Sequence, residues 1–183
     1  HVTWWLALGL ILLFLPYFPY SKHAHLFMGP LNIMASEKRR SMAAIETIDF
    51  EDEELDQFGA AQIQHLPQAQ LLDGYACIQC SRCQDACPAY ETGKELSPSA
   101  LEINKRYFIN DNISTIANGE SIDKALTDWM LTEEAAWSCT TCGYCVEVCP
   151  VGNEPMVDIL RARQNLVMME SNFPQDAMET FEK

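Results

Sequence analysis

The eight cysteines of this 183-residue chain fall in two copies of one spacing. They read Cys77-x2-Cys80-x2-Cys83-x3-Cys87-Pro88 and Cys139-x2-Cys142-x2-Cys145-x3-Cys149-Pro150, with none left over. Three thiolates two residues apart wrap a short irregular loop around one face of a cuboidal cluster, while the fourth points away. This run holds [4Fe–4S] clusters. The proline after each fourth cysteine fixes φ and lacks an N–H, so it turns the chain sharply. Zinc and disulfides are the competing chemistries. Structural zinc usually takes two separated pairs of ligands, a pattern that differs from a triple followed by a fourth cysteine. Disulfides require an oxidising compartment, and two residues between neighbouring cysteines suit a metal better.

When this spacing occurs twice, the fourth cysteine of each run serves the other cluster. Cluster I is therefore assigned Cys77, Cys80, Cys83 and Cys149, and cluster II Cys139, Cys142, Cys145 and Cys87. The crossing ties two distant segments into one core and sets the clusters side by side. The loops differ in one respect: Arg82 lies between Cys80 and Cys83, whereas Gly143 and Tyr144 lie between Cys142 and Cys145. A guanidinium favours the more negative, reduced state, which predicts the higher potential for cluster I. Glycine at 143 allows N–H groups close to sulfur and acts the other way.

The net charge of −14 argues against nucleic acid, whose binding proteins are basic, and suits docking on basic partner surfaces. No glycine-rich nucleotide motif is present. From Val2 to Tyr20 the chain has no charged residue. At helical rise this run covers about 28 Å, close to the hydrocarbon thickness of a bilayer. Trp4 and Trp5 at one end and Tyr17 and Tyr20 at the other sit as interfacial aromatics do. Pro16 and Pro19 would kink or end the helix. A helix buried in a soluble core is the alternative, and one apolar on all sides needs a large protein around it. Lys22, Lys38, Arg39 and Arg40 follow the run, which puts the remainder on the cytoplasmic side of the cytoplasmic membrane. The chain opens on His1 and directly enters this run, as part of a longer polypeptide or a processed product would.

The expected architecture is all-α: one transmembrane helix with an interfacial segment (1–30), an acidic cytoplasmic connector (31–68), and a helical two-[4Fe–4S] domain (69–183). The connector carries six acidic residues between Asp49 and Asp56. Ser97-Pro98 reads as the N-cap and first position of a helix reaching about Phe108. Residues 111–120 read as a turn and 121–131 as a second helix. Glu154-Pro155 opens a third, with Met156, Ile159, Leu160 and Val167 on one stripe. Phe173-Pro174 breaks it before a short terminal helix.

Past the apolar run, residues 19–32 read PYSKHAHLFMGPLN. Chemically, His23 and His25 suit either haem ligation or contact with headgroups or a partner. This segment resembles the last helix of the nitrate reductase gamma-type cytochrome b family, in which an aromatic-Pro-aromatic run precedes a haem-ligating histidine. The resemblance implies His25 as a haem b ligand. The family's further ligand, eighteen residues earlier, falls on Ala7, so any second ligand must come from other helices. The runs LLDGYACIQCSRCQDACPAYETGKELSP and AAWSCTTCGYCVEVCPVGNEPMVDILRAR resemble the heterodisulfide reductase D-like iron–sulfur proteins.

The resemblance implies a membrane-anchored electron-transfer subunit, an alpha-helical ferredoxin-type protein working between a cytoplasmic donor and membrane haem b or the quinone pool. It is similar to electron-transfer-flavoprotein:quinone oxidoreductases. The implied partners are cytochrome b helices, a cysteine-rich CCG domain and an electron-transfer flavoprotein. No cysteine follows Cys149, so the CCG module is expected to be missing and the chain alone not to be catalytic. The rival readings are a heterodisulfide reductase-type enzyme and a structural iron–sulfur subunit.

Overall fold

Residues 1–36, 48, 50, 51, 56–175 and 177 of the computed structural model are described, and among them there are helices and no strand. Lys38, Arg39 and Arg40, much of the acidic tract (Asp49, Asp52, Glu53 and Glu54) and most of the short terminal helix lie outside the described residues.

The apolar run forms α1 (Val2–Tyr17) and a 3₁₀ turn (Phe18–Tyr20). Pro16 sits in the last turn of α1, and Pro19 in the first positions of the 3₁₀ turn, where a missing N–H costs least. None of the residues of α1 is buried, so it is not a core helix here. The stretch Val2–Tyr20 is long and apolar enough to cross a membrane. Ser21 accepts from the N–H of His23, and a second 3₁₀ turn (Lys22–Ala24) leads into α2 (His25–Ala35). Helix α2 runs straight through residues 30 and 31, where the sequence suggests a boundary, and packs against α3 (Gln68–Ala76).

Each cysteine loop is followed by a single helical turn, α4 (Arg82–Asp85) in the first motif and α10 (Tyr144–Glu147) in the second. Pro88 opens α5 (Pro88–Glu91), with Cys87 as its N-cap. Helix α6 (Pro98–Asp111) starts where Ser97-Pro98 places it: Ser97 Oγ accepts from the N–H of Ala100 at 3.1 Å, satisfying one orphan donor. It runs past Phe108 by three residues to Asp111.

Two expectations between the motifs are corrected. Residues 113–117, read as a turn, form α7 (Ile113–Ala117), and the turns are confined to Asn112 before it and to Asn118 and the left-handed Gly119 after it. Residues 121–131, read as a helix, are helical only in α8 (Leu126–Trp129). The N–H of Leu126 is drawn to the carbonyl of Ala61 at 2.7 Å, and Ala125 is extended, so the preceding segment runs uncoiled along the surface before Leu126 enters the core. Thr132 caps α9 (Glu133–Ser138), accepting from Ala135 N–H at 3.1 Å, with Glu133 and Glu134 in the favourable first turn.

Helix α11 (Pro155–Met168) begins at the expected proline, but its buried face differs from the expected one. Pro155, Asp158, Ile159, Ala162, Asn165 and Leu166 point inward, while Val167 is exposed and Met156 and Leu160 only half-buried. The main core joins Leu96, Leu101, Leu126, Met130, Ile159 and Leu166 with the small residues Ala89, Ala136 and Ala162. A satellite core gathers Ile63, Phe108 and Ile109, with Trp129 stacked on Phe108 at 3.9 Å between ring centroids.

Candidate iron–sulfur site

The two cysteine loops have the same backbone. Gln79 and Thr141, one residue before the second cysteine of each motif, hold φ of 57° and 54°. Ser81 and Gly143, one residue after it, hold φ of 61° and 74°. Left-handed backbone costs a non-glycine residue about 1–2 kcal/mol, and three of these four are not glycine. The repeated outliers turn N–H groups toward the sulfurs: Thr141 N–H donates to Cys139 Sγ at 3.4 Å. At the far end of the second motif, Asn153 N–H donates to Cys149 Sγ at 3.3 Å.

The eight thiols fall into two neighbourhoods that adjoin. Burial pushes Cys77 up to about 11, with Cys149 and Cys80 among the charges that add to it. Burial pushes Cys83 up to about 12, and Cys77, Cys149 and Cys145 act in the same sense. Burial likewise pushes Cys145 up to about 12, reinforced by Cys139, Cys142 and Cys87. Cys139 is raised chiefly by burial, offset by the N–H of Thr141 and by Arg163. Cys149 thus sits with the first triple and Cys87 with the second, while Cys83 faces Cys145 across the boundary. Cys80 and Cys142 are the exposed members and Cys87 and Cys145 the buried ones.

The donor set fits iron–sulfur clusters better than a single ion. Among the described residues, no three His, Cys, Asp or Glu side chains gather tightly enough to hold one metal ion. Cys77, Cys80, Cys83 and Cys149 instead line one pocket together with Cys145 of the other triple, with Glu102 and Val151 in its wall. Thiols raised this far are protonated at neutral pH, so a metal centre must displace their protons on binding.

Sequence reasoning missed the charged groups behind the loops. Arg163 on α11 donates from Nε to the carbonyl of Ala136 at 2.8 Å and from Nη2 to that of Cys139 at 2.5 Å. Its guanidinium also stacks over Trp137, with 5.3 Å to the ring centroid. Arg82, the guanidinium visible within a motif, stands exposed. Beside the first triple lies a buried network of Glu102, Lys105, Asp158 and Asp73, all at most 4% exposed. Lys105 Nζ donates to Asp158 Oδ2 at 2.5 Å and to the carbonyl of Gln70 at 2.8 Å, and lies 3.1 Å from Glu102. Burial alone would lower Lys105, but the three carboxyl groups more than offset this and hold it charged. Burial pushes Glu102 up to about 8 and Asp73 to about 6, with Lys105 pulling both back. No sequence signal marks this network, because α3, α6 and α11 supply it from distant positions.

His25 opens α2, and its Nδ1 lies 2.6 Å from the carbonyl of Lys22. A carbonyl only accepts, so Nδ1 carries the proton and the lone pair is on Nε2. His23 Nδ1 pairs with Ser21 Oγ at 3.2 Å.

Residues 73–153 match the 4Fe-4S dicluster domain family. The chain is 35% identical, over 97% of its length, to the probable iron-sulfur-binding oxidoreductase FadF of Bacillus subtilis (strain 168), covering 30% of that protein. It is 30% identical, over 99% of its length, to the EtfAB:quinone oxidoreductase of Syntrophomonas wolfei subsp. wolfei, covering 28% of it. A probable membrane-anchored ferredoxin of Chromohalobacter salexigens is 28% identical over 62% of the chain and 19% of that protein. The chain therefore spans less than a third of the length of these relatives. No solved structure matches it significantly. Residues 73–153 thus match a 4Fe–4S dicluster domain, and the chain is similar to iron–sulfur redox proteins, one of them named a probable membrane-anchored ferredoxin.

Proposed function

We propose that the chain is a membrane-anchored relay passing single electrons between a cytoplasmic donor and membrane-held haem b or quinone through two [4Fe–4S] clusters. The observation that carries this reading is the paired loop geometry: each triple has the other motif's fourth cysteine for a neighbour. Cys77, Cys80, Cys83 and Cys149 would hold cluster I, and Cys139, Cys142, Cys145 and Cys87 cluster II. Such clusters supply reversible one-electron storage, and the protein sets distance and potential around them. N–H groups aimed at Cys139 and Cys149 favour the more negative reduced state. Burial of Cys87 and Cys145 keeps water from part of the site.

Lipid is the natural cover for α1. Its leucine, isoleucine and tryptophan side chains are exposed on every side, and burial of such surface is worth about 25 cal/mol per Å². With 1–30 in and at the membrane, 31–68 as connector and 69–183 as the cluster domain, the domain would lie on the cytoplasmic side. His25 suits a haem b ligand, because the bond from Nδ1 to Lys22 leaves Nε2 free to ligate and orients the ring. One relative's name, EtfAB:quinone oxidoreductase, supports a quinone-linked role with EtfAB as a redox partner. The finer likeness to heterodisulfide reductase D-like proteins fused to a gamma-type cytochrome b supplies the partner helices.

Anaerobic loading followed by iron and sulfide analysis and an EPR redox titration tests the relay. The expected result is two interacting one-electron centres. Cys87→Ser should perturb the signal belonging to the Cys139, Cys142 and Cys145 triple, and Cys149→Ser the other. Perturbation of the same-motif cluster would show that the fourth cysteines do not cross. One centre, or centres that do not reduce with biological donors, would sink the relay in favour of a structural role.

A further inference from the structure

Helix α2, which follows the apolar stretch, is built into the wall of one of the two cysteine sites. Asn32 on α2, 2% exposed, donates from Nδ2 to Asp73 Oδ1 at 2.6 Å and to the carbonyl of Val151 at 3.3 Å. Asp73 also accepts from the N–H of Glu154 at 3.0 Å, and its backbone carbonyl accepts from Asn153 Nδ2 at 2.6 Å. Asn153 N–H in turn donates to Cys149 Sγ. The packing repeats the bonding. A Cβ on Gly29 would stand 3.5 Å from Val151 Cγ1, and one on Gly152 would stand 4.0 Å from Ile33 Cγ1. Val151 and Asn153 line the pocket of Cys77, Cys80, Cys83 and Cys149. Arg106, itself buried, donates to the carbonyl of Ser21, the residue directly after the apolar stretch.

The loop of Cys139, Cys142 and Cys145 has other supports. It follows α9, and Arg163 of α11 clamps it through the carbonyls of Ala136 and Cys139. Tyr144 and Cys142 on this loop are exposed.

We infer that the site of Cys77, Cys80, Cys83 and Cys149 is the membrane-proximal one, through which electrons pass to or from the membrane, and that the site of Cys139, Cys142, Cys145 and Cys87 faces the soluble partner. The inference rests on the relay reading proposed above. Electron tunnelling weakens exponentially with distance, so the nearer site dominates exchange with a membrane-held haem or quinone. Each step moves one electron: one site is oxidised, its neighbour is reduced, and no bond forms or breaks at the cysteines. The order holds for either direction of flow.

The test uses the full chain, loaded with clusters and inserted in phosphatidylcholine vesicles that carry a small fraction of lipid with a gadolinium(III)-chelate headgroup on the outer face. The spin–lattice relaxation of each reduced cluster is measured with and without gadolinium. Signals are assigned with Cys80→Ser and Cys142→Ser, the two exposed ligands; a shifted signal or a lost one makes the assignment equally well. The expected result is a relaxation enhancement several-fold larger for the cluster assigned by Cys80. An equal or larger enhancement of the cluster assigned by Cys142 overturns the order while leaving membrane attachment intact. If neither cluster is relaxed, the chain is not at the membrane, and the relay reading falls together with the inference.

Discussion

Lys105 Nζ lies 2.5 Å from Asp158 Oδ2, and both side chains are wholly buried. One ammonium therefore joins α6 to α11 at the centre of the domain, with Glu102 and Asp73 close by.

Removing only the cation should be costly, since it strands a buried carboxylate. Breaking a buried pair from one side costs about 3–5 kcal/mol. Lys105→Met is expected to destabilise the domain by about that much, and the double variant Lys105→Met with Asp158→Asn to recover part of the loss. Anaerobic denaturant unfolding of the loaded protein measures both. A single variant that unfolds like the parent would mean the pair contributes nothing.

The same network gives the domain an unusual dependence on pH. Asp73 moves from 3.8 to about 6 on folding and Glu102 from 4.5 to about 8, chiefly through burial. Both groups bind their protons more tightly in the folded state. Their contribution is full below the unfolded values and is lost as pH rises through about 6 and about 8. Each group alone gives a slope of at most about 1.4 kcal/mol per pH unit inside its window. Stability should therefore fall between pH 5 and pH 8, and Asp73→Asn and Glu102→Gln should each flatten the fall. Denaturant midpoints across that range are the check; a rising profile would contradict the argument.

Arg163 should matter more to potential than Arg82. The guanidinium of Arg163 is half-buried against Cys139, whereas Arg82 is exposed and screened by solvent. At an effective dielectric near 20, a charge about 8 Å away is worth on the order of 2 kcal/mol, or about 90 mV for one electron. Arg163→Gln is expected to lower the midpoint of the Cys139-side cluster by tens of millivolts. Arg82→Gln should shift the other by less. This favours the Cys139-side cluster as the higher-potential centre, the opposite of the order argued from the loop residues alone; Glu102, raised to about 8 by burial, adds no charge beside the first triple at neutral pH. An EPR titration showing Arg82→Gln as the larger shift would restore that earlier order.

Gly59 holds φ at +73°, and a Cβ there would run into the carbonyl of Arg161 and stand 2.5 Å from Asn165 N. The neighbouring Ala60 N–H donates to Arg161 O at 2.9 Å, so the strand of chain cannot move aside freely. Gly59→Ala should cost about 2–5 kcal/mol from backbone strain and overpacking. Gly93→Ala, at φ of +78° with nothing within 4 Å, should cost only about 1–2 kcal/mol. Thermal unfolding of the two variants compares them directly.

What was legible in the sequence is what local chemistry dictates. Cluster ligation constrains spacing so tightly that the two loops could be located residue by residue, and Ser97-Pro98 and Glu154-Pro155 mark helix starts through capping and the fixed φ of proline. Long-range pairing was not legible. Asp158 and Asn165 look solvent-facing by amphipathic pattern, yet both are buried, because Lys105 and Gln57 reach them from distant segments. Residues 121–125 have helical composition, but the pull of Ala61 on Leu126 decides their course. Asn32 gave no local sign that it would enter the cluster wall.

The grip of Asn32 on Asp73 and of Arg106 on Ser21 means that the cysteine domain does not dangle from the proposed anchor. A dangling domain could swing through a hemisphere and meet its donor in any pose. On the membrane-anchored reading proposed above, a domain bolted at two points on the emerging chain holds one attitude, so a donor must find a single face, approached along the plane of the membrane or from above it. Lengthening the chain between residues 21 and 32 would trade that fixed address for freedom of search.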